Sequence, residues 1–296
     1  MTKLRITVVL LALVGALNSW SQGFGNRELI NADWYFNLGD IKYGGSEYFD
    51  HSEWRKLELP HDWSVEAVAS PELASCTGYL PGGIGWYRKD LDIPKVQNGN
   101  KVYIYFEGIY NNSEVFINGK WIGKRPNGYV SFMYELTPYL KFGGRNVLAV
   151  RVDHSQDADS RWYTGSGIYR DVYLVYANPV HIRLWGVSYS AKVNKKNAVL
   201  SVQTEVDNTG KLPVAVKVLH EVFDRDGKKV GAGSLDYSLR AGEMVKKELA
   251  VSIVQPKLWS LEDPYLYTIR TTLSKGGKVI DRTETRAGIR SLTFDP

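Results

Sequence analysis

The 296-residue sequence predicts an all-β fold in two consecutive blocks, on three observations. Apolar and polar residues alternate with a period of two along short segments, as half-buried strands require. Glycine is abundant, at 28 residues, and sits in turn-type pairs such as Asn118-Gly119, Asp226-Gly227 and Gly276-Gly277. No stretch carries an amphipathic helical repeat of convincing length.

The chain opens on a targeting signal. Met1-Thr2-Lys3-Leu4-Arg5 is a basic flank, and Ile6 to Leu17 is an apolar run too short to span a bilayer. Ser19-Trp20-Ser21 places small residues for a cut before Gln22. Residues 1–21 therefore read as a secretory signal peptide, and the expected location is secreted or periplasmic. No cysteine lies near the cut, which argues against a lipoprotein anchor, and no membrane association is expected after cleavage.

The strands follow in order. Lys101–Phe106 puts Val102, Ile104 and Phe106 on one face. Glu114–Ile117 and Lys120–Ile122 flank Asn118-Gly119, a pair suited to a type I′ hairpin because both residues take positive φ. Asn146–Asp153 and Gly167–Val175 are the next strands. Ala177-Asn178-Pro179 breaks the pattern, so the first block ends near residue 178. In the second block, strands are expected at Ala198–Val206, Val214–Phe223, Glu243–Val251, Leu266–Ser274 and Lys278–Thr285. Their spacing predicts an antiparallel sandwich of immunoglobulin type over residues 179–290.

Composition narrows the function classes. With 37 basic and 32 acidic residues the net charge is +5. Removing Lys3 and Arg5 with the signal leaves too little to suggest nucleic acid. Residues 180–296 carry 19 basic and 13 acidic groups. Lysines on turns and exposed edges, where they deter edge pairing, account for this better than an anion site. Cys76 is the one cysteine, so a disulfide framework and multi-cysteine metal sites are excluded. It reads as a half-buried structural thiol. There is no phosphate-binding loop, His-Glu-x-x-His or Gly-x-Ser-x-Gly. His61, in Leu59-Pro-His-Asp-Trp63, reads as a turn histidine bonded to backbone. Trp34, Trp54, Trp63, Trp86 and Trp121 read as packing residues, not as a lectin surface.

One segment suits a sugar. Asp153, Asp157 and Asp159 cluster just before Arg161-Trp162-Tyr163. A carboxylate accepts hydroxyl hydrogen bonds, and an indole covers the apolar C–H face of a sugar ring. The acidic run lacks the turn glycine and terminal glutamate of a calcium loop.

Five motifs in order then carry a resemblance. They are Leu59-Pro-His-Asp-Trp63, Gly82-Gly-Ile-Gly-Trp-Tyr-Arg88, Phe116-Ile-Asn-Gly-Lys120, Arg161-Trp-Tyr-Thr-Gly-Ser-Gly-Ile-Tyr-Arg-Asp171 and Gly288-Ile-Arg-Ser-Leu-Thr-Phe-Asp295. The chain resembles the N-terminal half of family 2 glycoside hydrolases, most of all bacterial β-galactosidases. That resemblance implies a jelly-roll, galactose-binding-like sugar-binding domain over residues 22–178. It implies next an immunoglobulin-like sandwich, and then, from residues 291–296, the start of a catalytic (β/α)₈ barrel of ~250 residues that these residues do not contain. The two catalytic glutamates belong to that barrel, so no catalytic residue is expected here and these residues alone are expected to be inactive. By resemblance, Asp153, His154, Arg161 and Trp162 are candidate substrate-binding residues, with a cation near Asp153. No other cofactor is expected. The implied partners are a β-galactoside or related glycan and the barrel itself. Two alternatives remain: a free-standing carbohydrate-binding module, and a β-glucuronidase or β-mannosidase parent.

Overall fold

A computed structural model describes residues 25–156, 162–194 and 196–291. The first unit contains β1 (Asn26–Leu29), β2 (Trp34–Leu38), β3 (Arg55–Leu57), β4 (Gly83–Asp92) and β5 (Lys101–Phe106). It continues with β6 (Ser113–Ile117), β7 (Lys120–Arg125), β8 (Phe132–Glu135), β9 (Arg145–His154) and β10 (Val172–Ala177). A four-stranded sheet, in the order β1-β10-β5-β8, faces a six-stranded sheet, in the order β3-β2-β4-β9-β6-β7. Trp34, Phe36, Trp63, Tyr87, Ile104, Phe106, Val150 and Val152 fill the space between them. The sequence-predicted sandwich is present.

The second unit contains β11 (Val180–Val193), β12 (Asn197–Asn208), β13 (Val214–Phe223) and β14 (Lys229–Leu239). It ends with β15 (Met244–Val254), β16 (Tyr267–Lys275) and β17 (Lys278–Ala287). A three-stranded sheet, β11-β12-β15, packs on a four-stranded one, β14-β13-β16-β17. Seven antiparallel strands in two sheets match the immunoglobulin-type expectation. Two apolar clusters form its core, one around Leu200, Val251 and Ile269 and one around Val206, Val218 and Leu273.

The Asn118-Gly119 hairpin forms as expected, with φ of 47° and 78°. Two expectations need correction, and one strand is buried further than its expected face requires. The predicted strand over 167–175 begins only at Val172, because Ser166 to Ile168 are drawn aside. Gly167 bridges Tyr110, and the Ile168 and Ser166 carbonyls accept from the His61 and Trp63 amides. β1 to β4, β8, β11 and β14 were not expected; a register break interrupts the alternation of β11, and Gly231 and Gly233 dilute that of β14. β5 is buried on both faces: Val102, Ile104 and Phe106 enter the first core, while Tyr103 and Tyr105 pack outward with Val175, Ala177 and Leu184. Leu184 belongs to the second unit, so that outer face is an inter-unit contact.

Trp34, Trp54, Trp63 and Trp86 are buried, but Trp121 is exposed. Cys76 is free and half-buried. Among the described residues, no helix is long and apolar enough to cross a membrane. The signal segment lies outside the described residues.

Candidate functional site at the loop end of the first sandwich

Three of the motifs meet at one end of the first sandwich. The organiser is Asp62. Its Oδ1 accepts from the Ser64 amide (3.0 Å) and the Ser166 amide (2.8 Å), and its Oδ2 accepts from the Tyr163 hydroxyl. One carboxylate thus ties the 59–66 loop to the 162–168 loop. Burial, with Asp62 beside it, holds the Tyr163 phenol well above its usual range. Below this clasp runs a buried hydroxyl relay. Ser166 Oγ lies 2.6 Å from both Ser64 Oγ and His154 Nδ1, and Ser64 Oγ lies 2.8 Å from the Pro81 carbonyl. The Trp63 indole N–H donates to the Gly82 carbonyl (3.0 Å), which brings the third motif in.

His61 differs from its expectation. Its amide does bond backbone, but its ring is held by side chains. Nδ1 lies 2.7 Å from the Tyr87 hydroxyl, and Nε2 lies 2.9 Å from Arg55 and 3.3 Å from Glu66. Burial lowers its pKa, against the opposing pull of Glu66. A ring locked between a buried tyrosine and an ion pair is a fastener.

Asp153 and His154 end β9, where successive side chains point to opposite faces. His154 turns inward, buried, against Ser166 and edge-on to Tyr110 at 4.9 Å. Asp153 turns outward beside Arg151. Its Oδ1 accepts from the Ser155 amide and hydroxyl (3.1 and 2.6 Å), and its Oδ2 from Arg151 (3.1 Å). Burial pushes its pKa up, but the Ser155 and Arg151 bonds outweigh that, leaving it below the usual carboxylate range. Asp153 is therefore a fixed anion and acceptor, not a proton donor. The Arg151 guanidinium already brings one positive charge to Oδ2. Among the described residues, no three His, Cys, Asp or Glu side chains gather to hold a metal.

Trp162 stands at the rim, 60% exposed, with its N–H on the Tyr129 hydroxyl (2.9 Å). Tyr129 packs edge-on to Tyr110 (5.4 Å), and Tyr110 on His154. An aromatic run thus leads from solvent to the buried relay. Arg161, Asp157 and Asp159 lie outside the described residues. The structure brings Trp162 and His154 into one connected wall and sets the Asp153 carboxylate on the opposite face of its strand. Sequence reasoning missed Asp62, Ser64, Tyr110, Tyr129, Tyr163 and Ser166 as members of this end. Asp62, Tyr163 and Ser166 lay inside quoted motifs, and that was the available signal. Tyr129 carried none.

A family profile described as the sugar binding domain of glycosyl hydrolases family 2 matches residues 29–179, and a second profile of the same family matches residues 180–290. The chain belongs to glycosyl hydrolases family 2. It is 43% identical over 272 residues to a β-galactosidase of Bacteroides ovatus, covering 91% of this chain and 32% of that protein. It is 37% identical over 267 residues to a putative β-glucuronidase of Formosa agariphila, covering 89% of this chain and 25% of that protein. Among solved structures, a β-glycosidase from Bacteroides vulgatus superimposes with a TM-score of 0.82 at 40% identity, over 92% of this chain and 35% of that one. A family 2 member from Bacteroides cellulosilyticus gives 0.84 at 34% identity, over 90% and 37%. The chain thus spans about a third of the length of the relatives it matches.

Proposed function

We propose that these residues form the non-catalytic N-terminal part of an exported glycoside hydrolase of β-galactosidase type, which removes terminal β-linked sugars in carbohydrate metabolism. The 43% identity to a β-galactosidase carries this reading. Retaining hydrolysis needs two carboxyl groups ~5–5.5 Å apart, one acid/base and one nucleophile. In this reading both belong to a (β/α)₈ barrel beyond these residues. The loop end of the first sandwich then supplies binding groups to the barrel's mouth. Trp162 covers the C–H face of the terminal sugar. Asp153, held ionised, accepts hydroxyl hydrogen bonds, and Arg161 donates them. His154, being buried, positions the wall through Ser166 and Tyr110. The signal segment, cut before Gln22, directs the protein to the periplasm or the exterior. A β-glucuronidase parent is the second reading, favoured by the 37% identity to the Formosa relative.

The test compares hydrolysis of nitrophenyl β-galactoside and β-glucuronide. One sample is the 296-residue chain; the other is the same residues joined to the remainder of the Bacteroides ovatus relative. The chain alone should show no turnover, and the joined protein should cleave the galactoside. Turnover by the chain alone would overturn the non-catalytic role. Glycan affinity of the chain without gain of activity in the joined protein would favour a free-standing binding module.

A further inference from the structure

A second constellation sits where the two sandwiches meet, on β11 and not on the loop end. Ile182 pairs with Val206 and Val187 with Thr204, so four residues, 183–186, stand against Glu205 alone. In this bulge Trp185 takes a φ of 56° and is 66% exposed. Bulky residues rarely hold a left-handed backbone, and such strain concentrates at ligand sites. Gly186 makes the bulge feasible, since a Cβ there would meet the Arg183 carbonyl oxygen at 2.8 Å and the Glu205 carbonyl oxygen at 3.1 Å. The Trp185 ring stands edge-on to Tyr105 of the first sandwich, centroids 6.3 Å apart.

A groove of about 390 Å³ opens beside it, lined among others by Arg27, Tyr105, Arg183, Trp185, Thr285 and Arg286. The Arg27 guanidinium lies over the rings of Tyr105 (4.7 Å) and Tyr173 (5.8 Å), and its Nε is buried with no hydrogen-bond partner. Among the described residues, neither Arg27 nor Arg286 has a carboxylate within ion-pair distance. Arg183 has only loose pairs, 3.8 Å to Glu205 and 3.9 Å to Asp207. The acid in the lining, Glu284, is bound to Arg270 at 2.8 Å. Two guanidinium groups without a carboxylate partner, Arg27 and Arg286, and a third that is loosely paired, Arg183, therefore share one groove with the Trp185 indole. Guanidinium forks bind carboxylates and tetrahedral oxyanions in two-point fashion, and an indole face covers sugar C–H groups. The basic excess of residues 180–296, assigned above to edge lysines, has here a second source in arginine.

We propose that this groove binds an anionic sugar, one carrying a carboxylate or a sulfate, with the oxyanion on Arg27 and Arg286 and the ring on Trp185. The choice of a sugar as carrier rests on the glycoside-hydrolase reading; the oxyanion does not. Calorimetry and tryptophan fluorescence of the 296-residue chain should be run with tetragalacturonate, a sulfated galactotetraose and neutral galactotetraose. An anionic ligand should bind at least tenfold more tightly than the neutral one, and weaken as salt rises. Which of the two binds identifies the oxyanion. Trp185→Ala and the exposed Arg286→Gln should each lower that affinity about tenfold or more, with unchanged circular dichroism. Equal affinity for neutral and anionic tetrasaccharides would overturn the proposal, as would affinity unmoved by both variants. Inorganic sulfate binding as tightly as the sulfated sugar would remove the sugar. Hydrolysis by the joined protein is a separate readout, so failure here leaves the functional reading standing.

Discussion

Asp62 and Asp153 are both aspartates at the loop end of the first sandwich, yet their surroundings predict opposite behaviour. Asp62 satisfies the amides of Ser64 and Ser166, both residues buried, and the Tyr163 hydroxyl. Removing an acceptor from a buried donor costs about 1–3 kcal/mol. Asp62→Ala should therefore lose about 2–4 kcal/mol in urea unfolding, with an unchanged m-value. Asp153 serves Ser155, which is exposed and can turn to water, and Arg151, which keeps Asp40 at 3.0 and 3.2 Å. Asp153→Ala should lose less than about 1 kcal/mol. In the joined enzyme the same change should lower kcat/KM by roughly ten- to a hundredfold, the loss of one charged hydrogen bond at about 1.5–3 kcal/mol. Unchanged kcat/KM would take Asp153 out of the site. The strand-end position of Asp153 was legible from β9's alternation. The role of Asp62 was not, because its partner Ser166 lies 104 positions away and no local pattern encodes that pairing.

At the scale of elements, the second sandwich buries two titratable groups with opposite pH demands. Asp281 on β17 accepts from the Ile182 amide of β11 (2.8 Å) and from the Arg282 amide, and burial raises its pKa to about 6. A raised carboxyl favours the protonated fold, so its contribution is complete below about pH 4 and is lost as pH rises through 6. His220 on β13 lies between the hydroxyls of Thr204 (3.2 Å) and Thr271 (3.0 Å), and burial lowers its pKa to about 4. A lowered histidine contributes above about pH 6.5 and loses that contribution as pH falls through 4. Over the same window the two trends oppose each other, so the wild-type profile alone separates neither. Asp281→Asn does: relative to wild type it should gain about 2–3 kcal/mol between pH 4 and pH 7. A constant difference in guanidinium unfolding at the two pH values would show that Asp281 keeps an ordinary pKa. These two strands also mark how far alternation could be followed. β13 is a clean period-two segment, and both it and β17 were expected. β11, which Asp281 clamps, was not, because its bulge shifts the phase of alternation midway.

For the whole molecule, the two sandwiches are unequal partners. The second has its own closed core in two clusters, and gives the contact between the units an edge: Leu184, His181 against Tyr103 at 6.2 Å and Trp185 against Tyr105 at 6.3 Å. The first gives a sheet face, with Tyr103, Tyr105, Val175 and Ala177 all buried on the outside of β5 and β10. Alternation could not show this, because a strand apolar on both faces reads the same whichever neighbour covers it. The asymmetry has a consequence for separation. Residues 178–291 should fold alone as a monomer, with cooperative unfolding. Residues 25–177 should fold but expose two tyrosines and two aliphatic side chains as one patch, the kind that drives association. Sedimentation at tens of micromolar should therefore show the isolated first sandwich self-associating and the 25–291 pair monomeric. Tyr105→Glu, which places a charge in that patch, should return the isolated sandwich to monomer while weakening the pair. If the isolated first sandwich stays monomeric without the substitution, the contact through β5 and β10 is not what keeps those tyrosines covered.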